Sequence, residues 1–237
     1  MALSRASIIA GLAGIVIGGG AVALASGGGM PGSERGRVEQ IVKAYLLENP
    51  QIIPEAMEVL RHRETAKVVD ANRAALETPF ASAWAGAEDG DVVLVEFFDY
   101  ACGFCRKSNP DVDRLLAEDK KLKVVWRELP VLGPDSQAAA EVSLAAAKQG
   151  RFKPFYDSLF QAGRPAPEAV AQVQQRLGVR SLPGTADVQA ELEKNFQLAR
   201  AINASGTPTF VVGDKVLQGA VGYDALKTAV GEARIRS

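Results

Sequence analysis

The run Val92-Val93-Leu94-Val95-Glu96-Phe97-Phe98 constrains this chain more than any other stretch. It is apolar throughout except at Glu96 and shows no polar alternation. A strand that is apolar on both sides must be covered on both sides, so it belongs at the centre of a sheet. A helix-like segment, Arg106 to Leu116, follows it, and then a second strand-like run, Leu122 to Glu128. Strand, helix, strand forms a right-handed parallel unit, which makes the fold α/β.

Between the first strand and its helix stand Cys102 and Cys105, the only cysteines in the chain. With Cys102 at the first turn of the helix, the two lie on one face at a separation that suits a disulfide. Cys102 then sits among free backbone N–H groups at the positive end of the helix dipole. That setting favours thiolate over thiol and makes Cys102 the nucleophile. Cys105, one turn further in, is the natural resolving partner. Three other readings are open to a Cys-x-x-Cys pair. Half of a zinc site would need further ligands, and the single histidine, His62, is far away in sequence. A purely structural disulfide would close a very short loop and add little stability. Two thiolates at Cys102 and Cys105 also suit a soft ion such as copper(I), although no Met-rich tract or further Cys/His cluster accompanies them. The redox pair is the reading that uses the strand-to-helix junction.

The chain has 237 residues, 47% hydrophobic and 23% charged, a globular composition. A formal net charge of −1 gives no overall basic field for nucleic acid. Near the N-terminus, Arg5 precedes an uncharged segment from Ile8 to Ala25 that ends in the small-x-small pattern Ala23-Leu24-Ala25. This reads as a signal peptide cleaved after Ala25, with an uncleaved membrane anchor as the rival reading. Either one exports the folded part to a compartment where a disulfide persists. Residues 26–36 read as a flexible tether.

Val38, Ile41, Val42, Tyr45 and Leu46 have helical spacing up to the Asn49-Pro50 break. A second helix starts near Pro54 and runs to Glu77, carrying Ile53, Met57 and Leu60 on one side. Two thin helices cannot build a core alone, so residues 37–78 read either as a pair of helices lying on the main domain or, in preference, as an oligomerisation segment whose apolar stripe is buried by other copies of the chain. Thr78-Pro79 ends it, and residues 79–237 form the catalytic domain. Within that domain the sequence predicts a short strand at Phe80–Trp84 and a turn at Glu88–Asp91. A helical insertion spans about 135–204, with helices at Ser136–Lys148, Phe152–Gln161, Glu168–Leu177 and Val188–Ala204. A hairpin over Thr209–Val212 and Lys215–Leu217 and a helix over Tyr223–Arg236 close the chain.

This order, with Phe-Phe-Asp-Tyr-Ala-Cys-Gly-Phe-Cys, then Leu129-Pro130-Val131-Leu132-Gly133-Pro134, then Gly206-Thr207-Pro208-Thr209-Phe210, resembles the thioredoxin fold. The insertion makes it similar to the DsbA-like branch of thiol–disulfide oxidoreductases. Ala44 to Gln51 is similar to the leader of the suppressor-of-copper-sensitivity C (ScsC) proteins. The resemblance implies that Pro208 is a cis-proline facing the cysteines, that Thr207 offers its backbone to a substrate, and that Glu96 is a buried acid relaying protons beneath them. Arg127, on the neighbouring strand, is the expected partner of Glu96. The strongest oxidants of the family carry Pro-His where this chain has Gly103-Phe104, so weaker thiolate stabilisation and a less oxidising pair are expected. The implied function is a periplasmic enzyme without a cofactor, acting on unfolded or misoxidised exported proteins as a disulfide isomerase or reductase. It would exchange electrons with a membrane-bound redox partner and form a homo-oligomer, a trimer ahead of a dimer. A dithiol oxidase and a copper(I) carrier are the alternatives.

Overall fold

The computed structural model describes residues 32–180 and 184–236. The expected signal segment, and the tether as far as residue 31, lie outside the described residues. The chain divides into two compact units, one ending at Val59 and the other running from Leu60 to Ser237.

In the first unit, helix α1 (Gly32–Glu48) gives way to α2 (Ile52–Glu77). The tether expected over 26–36 is therefore helical from Gly32 onward, where Arg35 and Glu39 pair one turn apart at 3.1 Å. Asn49 ends α1 by folding back on it, with both its amide N–H and its Nδ2 donating to the Tyr45 carbonyl at 2.9 and 3.0 Å. Pro50 then occupies the joint, as a residue with no N–H to give. Val38, Ile41, Val42, Tyr45, Leu47, Ile53, Met57 and Val59 are all exposed.

The second unit is a five-stranded sheet in the order β1-β3-β2-β4-β5. Its strands are β1 (Trp84–Gly86), β2 (Val92–Phe98), β3 (Leu122–Glu128), β4 (Thr209–Val212) and β5 (Lys215–Gln218). β2 and β3 are parallel and joined by α3 (Gly103–Glu118), and the other pairings are antiparallel. Four helices are inserted between β3 and β4: α4 (Pro134–Lys148), α5 (Phe152–Ala162), α6 (Pro167–Leu177) and α7 (Ala186–Ala201). α8 (Tyr223–Arg236) closes the unit. Among the described residues this makes eight helices and one sheet, the α/β arrangement that the resemblance implies.

The two-residue period of the strands sorts the sheet into two faces. Leu94 and Phe98 of β2, Val124 and Trp126 of β3, and Phe210 and Val212 of β4 pack with α3, α5 and α8. Val95 and Phe97 of β2, Val125 of β3 and Val211 of β4 pack with Val69 and Leu76 of α2, with Leu198 and Ala199 of α7 and with Ile202 just after it. The expected boundary at Thr78-Pro79 thus cuts through a packed core. The last turns of α2 belong to the sheet domain, which begins at Leu60.

Two further expectations are corrected. The first strand is Trp84–Gly86 rather than Phe80–Trp84, because Phe80 to Ala83 close a turn (Ala83 N–H to Phe80 carbonyl, 2.9 Å) with Ala81 at φ 47°. Helix α7 stops at Ala201, not Ala204, because Asn203 takes the left-handed conformation (φ 54°) and the Ala204 N–H turns back to the Ala199 carbonyl at 2.8 Å.

Arg127 binds the α2 end to the sheet. Its guanidinium is 1% exposed and reaches five acceptors: the carbonyls of Leu76 (3.0 Å), Ala75 and Thr78 (2.7 Å), and the side chains of Glu191 and Asn195 (both 2.9 Å). Five donors meet five acceptors. Three of those acceptors are carbonyls at the α2 C-terminus, where no further turn supplies N–H groups. Removing one partner of a buried ion pair costs about 3–5 kcal/mol. Arg127→Ala is therefore expected to lower the stability of the sheet domain by that order, read as a lower midpoint in guanidinium unfolding followed by circular dichroism.

Candidate active site

The turn from β2 to α3 delivers Cys102 to the N-cap of α3, with its own N–H donated to the Asp99 carbonyl at 3.0 Å. Its side chain caps nothing, which leaves the sulfur facing the amides of the first turn. Cys102 is 6% exposed and Cys105 0%. A hydrogen bond from Cys105 first, then one from the Thr207 side chain, and then the backbone N–H groups of Cys105 and Phe104, hold the Cys102 thiol down at about 5 against the opposing effect of burial. Burial pushes Cys105 the other way, reinforced by Cys102 and by the charge of Glu96. At neutral pH the pair is therefore a thiolate beside a thiol. With no histidine between the cysteines, the neighbouring thiol, Thr207 and the helix amides are the donors that acidify Cys102.

In its protonated form the Cys102 thiol donates to the Thr207 carbonyl at 3.1 Å, and the Thr207–Pro208 bond is cis. The segment that carries this carbonyl is held by Gln218 of β5. The Gln218 Oε1 accepts from the Ser205 N–H and hydroxyl at 3.1 Å each and lies 2.9 Å from the Thr209 hydroxyl, while its Nε2 donates to the Asn203 carbonyl at 3.1 Å.

Glu96 lies on the α3 face of β2 and is 0% exposed. Its in-register neighbour is Trp126, whose indole N–H donates to Oε2 at 2.9 Å. Arg127 is not its partner. One residue further along β3, it points to the opposite face and pairs with Glu191. Burial raises Glu96 to about 8, the hydrogen bonds from Trp126 and Tyr156 and the charge of Lys153 offsetting only part of it, so it is mostly protonated at neutral pH. Glu128, at the end of β3, is also buried, and burial holds its carboxyl well above the usual range, with the charge of Asp99 adding to the effect.

Thus Cys102, Cys105, Thr207 and Glu96 converge, with Pro208 next to Thr207. Asp99, Trp126 and Gln218 also shape the site, although the strand and loop patterns did not single them out. Asp99 had a sequence signal, an acid between a buried strand and a helix N-cap. For Trp126 and Gln218 the only signal would have been strand register, which requires the pairing itself. Among the described residues no group of three or more His, Cys, Asp or Glu is placed to hold a metal. A soft ion would have only the two sulfurs.

The DSBA-like thioredoxin domain pattern matches residues 93–231 of this sequence. The chain belongs to the DSBA-like thioredoxin family. A second pattern, the copper resistance protein ScsC N-terminal domain, matches residues 34–67. Among solved structures, this DSBA-like chain is similar to a linker-deletion mutant of Proteus mirabilis ScsC, with 27% identity and a TM-score of 0.71, covering 90% of this chain and 100% of that one. It is also similar to a periplasmic thioredoxin-like protein from Salmonella enterica serovar Typhimurium, with 28% identity and a TM-score of 0.64, covering 69% and 95%. Among curated proteins, it is 31% identical over 156 residues to the Na(+)/H(+) antiporter NhaA 3 of Salinispora tropica, covering 62% of this chain. It spans only 24% of that antiporter's length.

Two outcomes follow from the site. Iodoacetamide labelling of the reduced protein should proceed at Cys102 with an inflection near pH 5, and Cys105 should stay unlabelled through neutral pH, as read by peptide mass spectrometry. For Glu96, folded and unfolded chains both hold the proton below about pH 4.5, and only the folded chain holds it up to about 8. Unfolding across that window releases a proton, so stability falls as pH rises. Glu96→Gln should remove this dependence, with its advantage over wild type growing from pH 4.5 to 8 and levelling above. At about 1.4 kcal/mol per pH unit the advantage reaches a few kcal/mol, measurable by chemical denaturation at several pH values.

Proposed function

We propose that this chain is an exported thiol–disulfide oxidoreductase acting on protein disulfides, and that it works as an isomerase or reductase. The observation that carries the reading is the Cys102 sulfur at the head of α3, acidified to about 5, beside the Thr207 carbonyl and above a buried Cys105 thiol. The Cys102 thiolate attacks one sulfur of a substrate disulfide. A Cys102–substrate disulfide forms, the substrate S–S bond breaks, and the second substrate sulfur leaves as a thiolate. In isomerisation a substrate thiolate attacks back and releases Cys102 unchanged. In reduction Cys105 gives up its proton, attacks Cys102, and leaves a Cys102–Cys105 disulfide and a reduced substrate. Glu96 in its carboxylate form is the buried base able to take that proton.

The acidity of Cys102 sets the expected redox poise. Reactive thiols range from about 7 in thioredoxin to about 3.5 in the oxidant DsbA, and Cys102 falls between them. The Cys102–Cys105 potential is accordingly expected between about −270 and −120 mV, measured by equilibration in glutathione buffers. A value at the upper end would favour the dithiol oxidase instead.

The N-terminal unit supports self-association. Its apolar residues stand exposed along α1 and the start of α2, and the same segment matches the ScsC N-terminal pattern. We take the assembly to be a homo-oligomer, a trimer ahead of a dimer, that places several thiols around one captured substrate and raises their effective concentration. Export to the periplasm rests on the apolar segment before Ala25 and on likeness to a protein described as periplasmic. Among the described residues no helix is long and apolar enough to cross a membrane.

A chain beginning at Leu60 should be a folded monomer by light scattering that still reduces insulin with dithiothreitol. It should lose most of its ability to refold a scrambled disulfide protein. A monomeric full-length chain, or full isomerase activity in the shortened one, would overturn the assembly.

A further inference from the structure

Asp99 stands where β2 ends and the cysteine turn begins. Its side chain is 1% exposed, and each oxygen is used twice. Oδ1 accepts from the Ala101 N–H at 2.7 Å and from the Ser136 hydroxyl at 2.6 Å. Oδ2 accepts from the Val131 N–H at 2.8 Å and from the Leu132 N–H at 3.0 Å. The donors come from three segments: the turn that presents Cys102, the loop that follows β3, and the first turn of α4. A carboxylate has about four acceptor positions, and these four donors fill them. Bonds to an ionised acceptor are the stronger kind.

What this clamp holds outward is apolar. Val131 and Leu132 have their N–H groups pinned to Asp99, yet their side chains stand in solvent, 49% and 54% exposed. Phe104, two residues past Cys102 on the first turn of α3, is 66% exposed. The two oxygens of Asp99 share one carbon, so the amides of Ala101 and Val131 are fixed relative to each other across a single side chain. Exposed apolar groups on an anchored backbone gain nothing for folding and are suited to binding.

We infer that Asp99 is a positioning residue for disulfide exchange: it fixes the Val131–Leu132 loop beside the cysteine turn, so that apolar side chains flanking a substrate disulfide are gripped by Val131, Leu132 and Phe104 while the disulfide meets Cys102. The substrate class is then a disulfide flanked by apolar residues in an unfolded chain, whose side chains are accessible. This rests on the exchange reading proposed above. Asp99 acts through the loop, not on the reacting sulfurs. An amide cannot replace it, since Asn would turn an NH2 group toward one of the two donor pairs.

The test measures KM and kcat, above the uncatalysed background, for reduction of two probes by the full-length chain with dithiothreitol returning the Cys102–Cys105 disulfide to the dithiol. One is glutathione disulfide, which has no large apolar side chain. The other is a disulfide-bonded peptide with Leu and Phe beside its cysteines. Asp99→Asn is expected to raise KM for the peptide about tenfold, the effect of losing one hydrogen bond to a charged group, with a much smaller loss on glutathione disulfide. Ser136→Ala removes a single donor and should show the same split, reduced in size. Leu132→Ser, a change at an exposed side chain that leaves the clamp intact, should raise peptide KM alone and guards against misfolding of the Asp99 variant. Equal losses on both probes, or peptide KM unmoved in Asp99→Asn and Leu132→Ser, would overturn the inference while leaving exchange itself standing. A wild-type chain inactive on both probes would overturn the exchange reading and this inference with it.

Discussion

The parallel pairing of β2 with β3, in the register that sets Glu96 against Trp126, is the constraint on which the rest of the structure depends. Because side chains alternate between faces, that one register decides the fate of two charged residues in an apolar sheet. Glu96 turns toward α3 and the cysteines and meets an indole, which can donate a hydrogen bond but carries no charge. Arg127 turns toward α2 and α7 and meets a carboxylate, an amide and three carbonyls. A slip of β3 by one residue against β2 would turn the guanidinium toward the cysteine face, away from Glu191 and the α2 carbonyls. The chemistry on one face and the anchoring of the C-terminal end of α2 on the other are thus two results of the same ladder.

The site follows the same division of labour. Backbone geometry makes the nucleophile: an N-cap position, a turn closed at Asp99, and the amides of Phe104 and Cys105. Burial makes the proton donors: Cys105, Glu96 and Glu128 are all held neutral because the interior disfavours their charged forms. Asp99, by contrast, is a carboxylate with all its acceptor positions filled, and it ties the loops on either side of the strand ends together.

Much of this was legible in the sequence, and for identifiable reasons. β2 and β3 were readable to the residue because an unbroken apolar run bounded by turn residues leaves little freedom. The two cysteines could be placed at the head of a helix by spacing alone. Partnerships across the sheet were not readable: Arg127 is adjacent to the residue that faces Glu96, and a one-residue difference in register reverses its direction. The boundary near Pro79 misled for a related reason. Proline marks where the helix stops but not where packing stops, and Val69 and Leu76 are buried in the sheet domain although they lie before it. The short first strand was masked by Ala81, whose left-handed backbone no alanine advertises.

The N-cap thiolate has a consequence for how the molecule can be followed in solution. A thiol that ionises at about 5 gives the reduced protein one negative charge at neutral pH that the disulfide form lacks. On a chain whose formal net charge is only −1, a single unit is a large relative change. The two redox states are therefore expected to differ in electrophoretic mobility and in retention on an anion exchanger, so that the protein's own charge would record its oxidation state without a label.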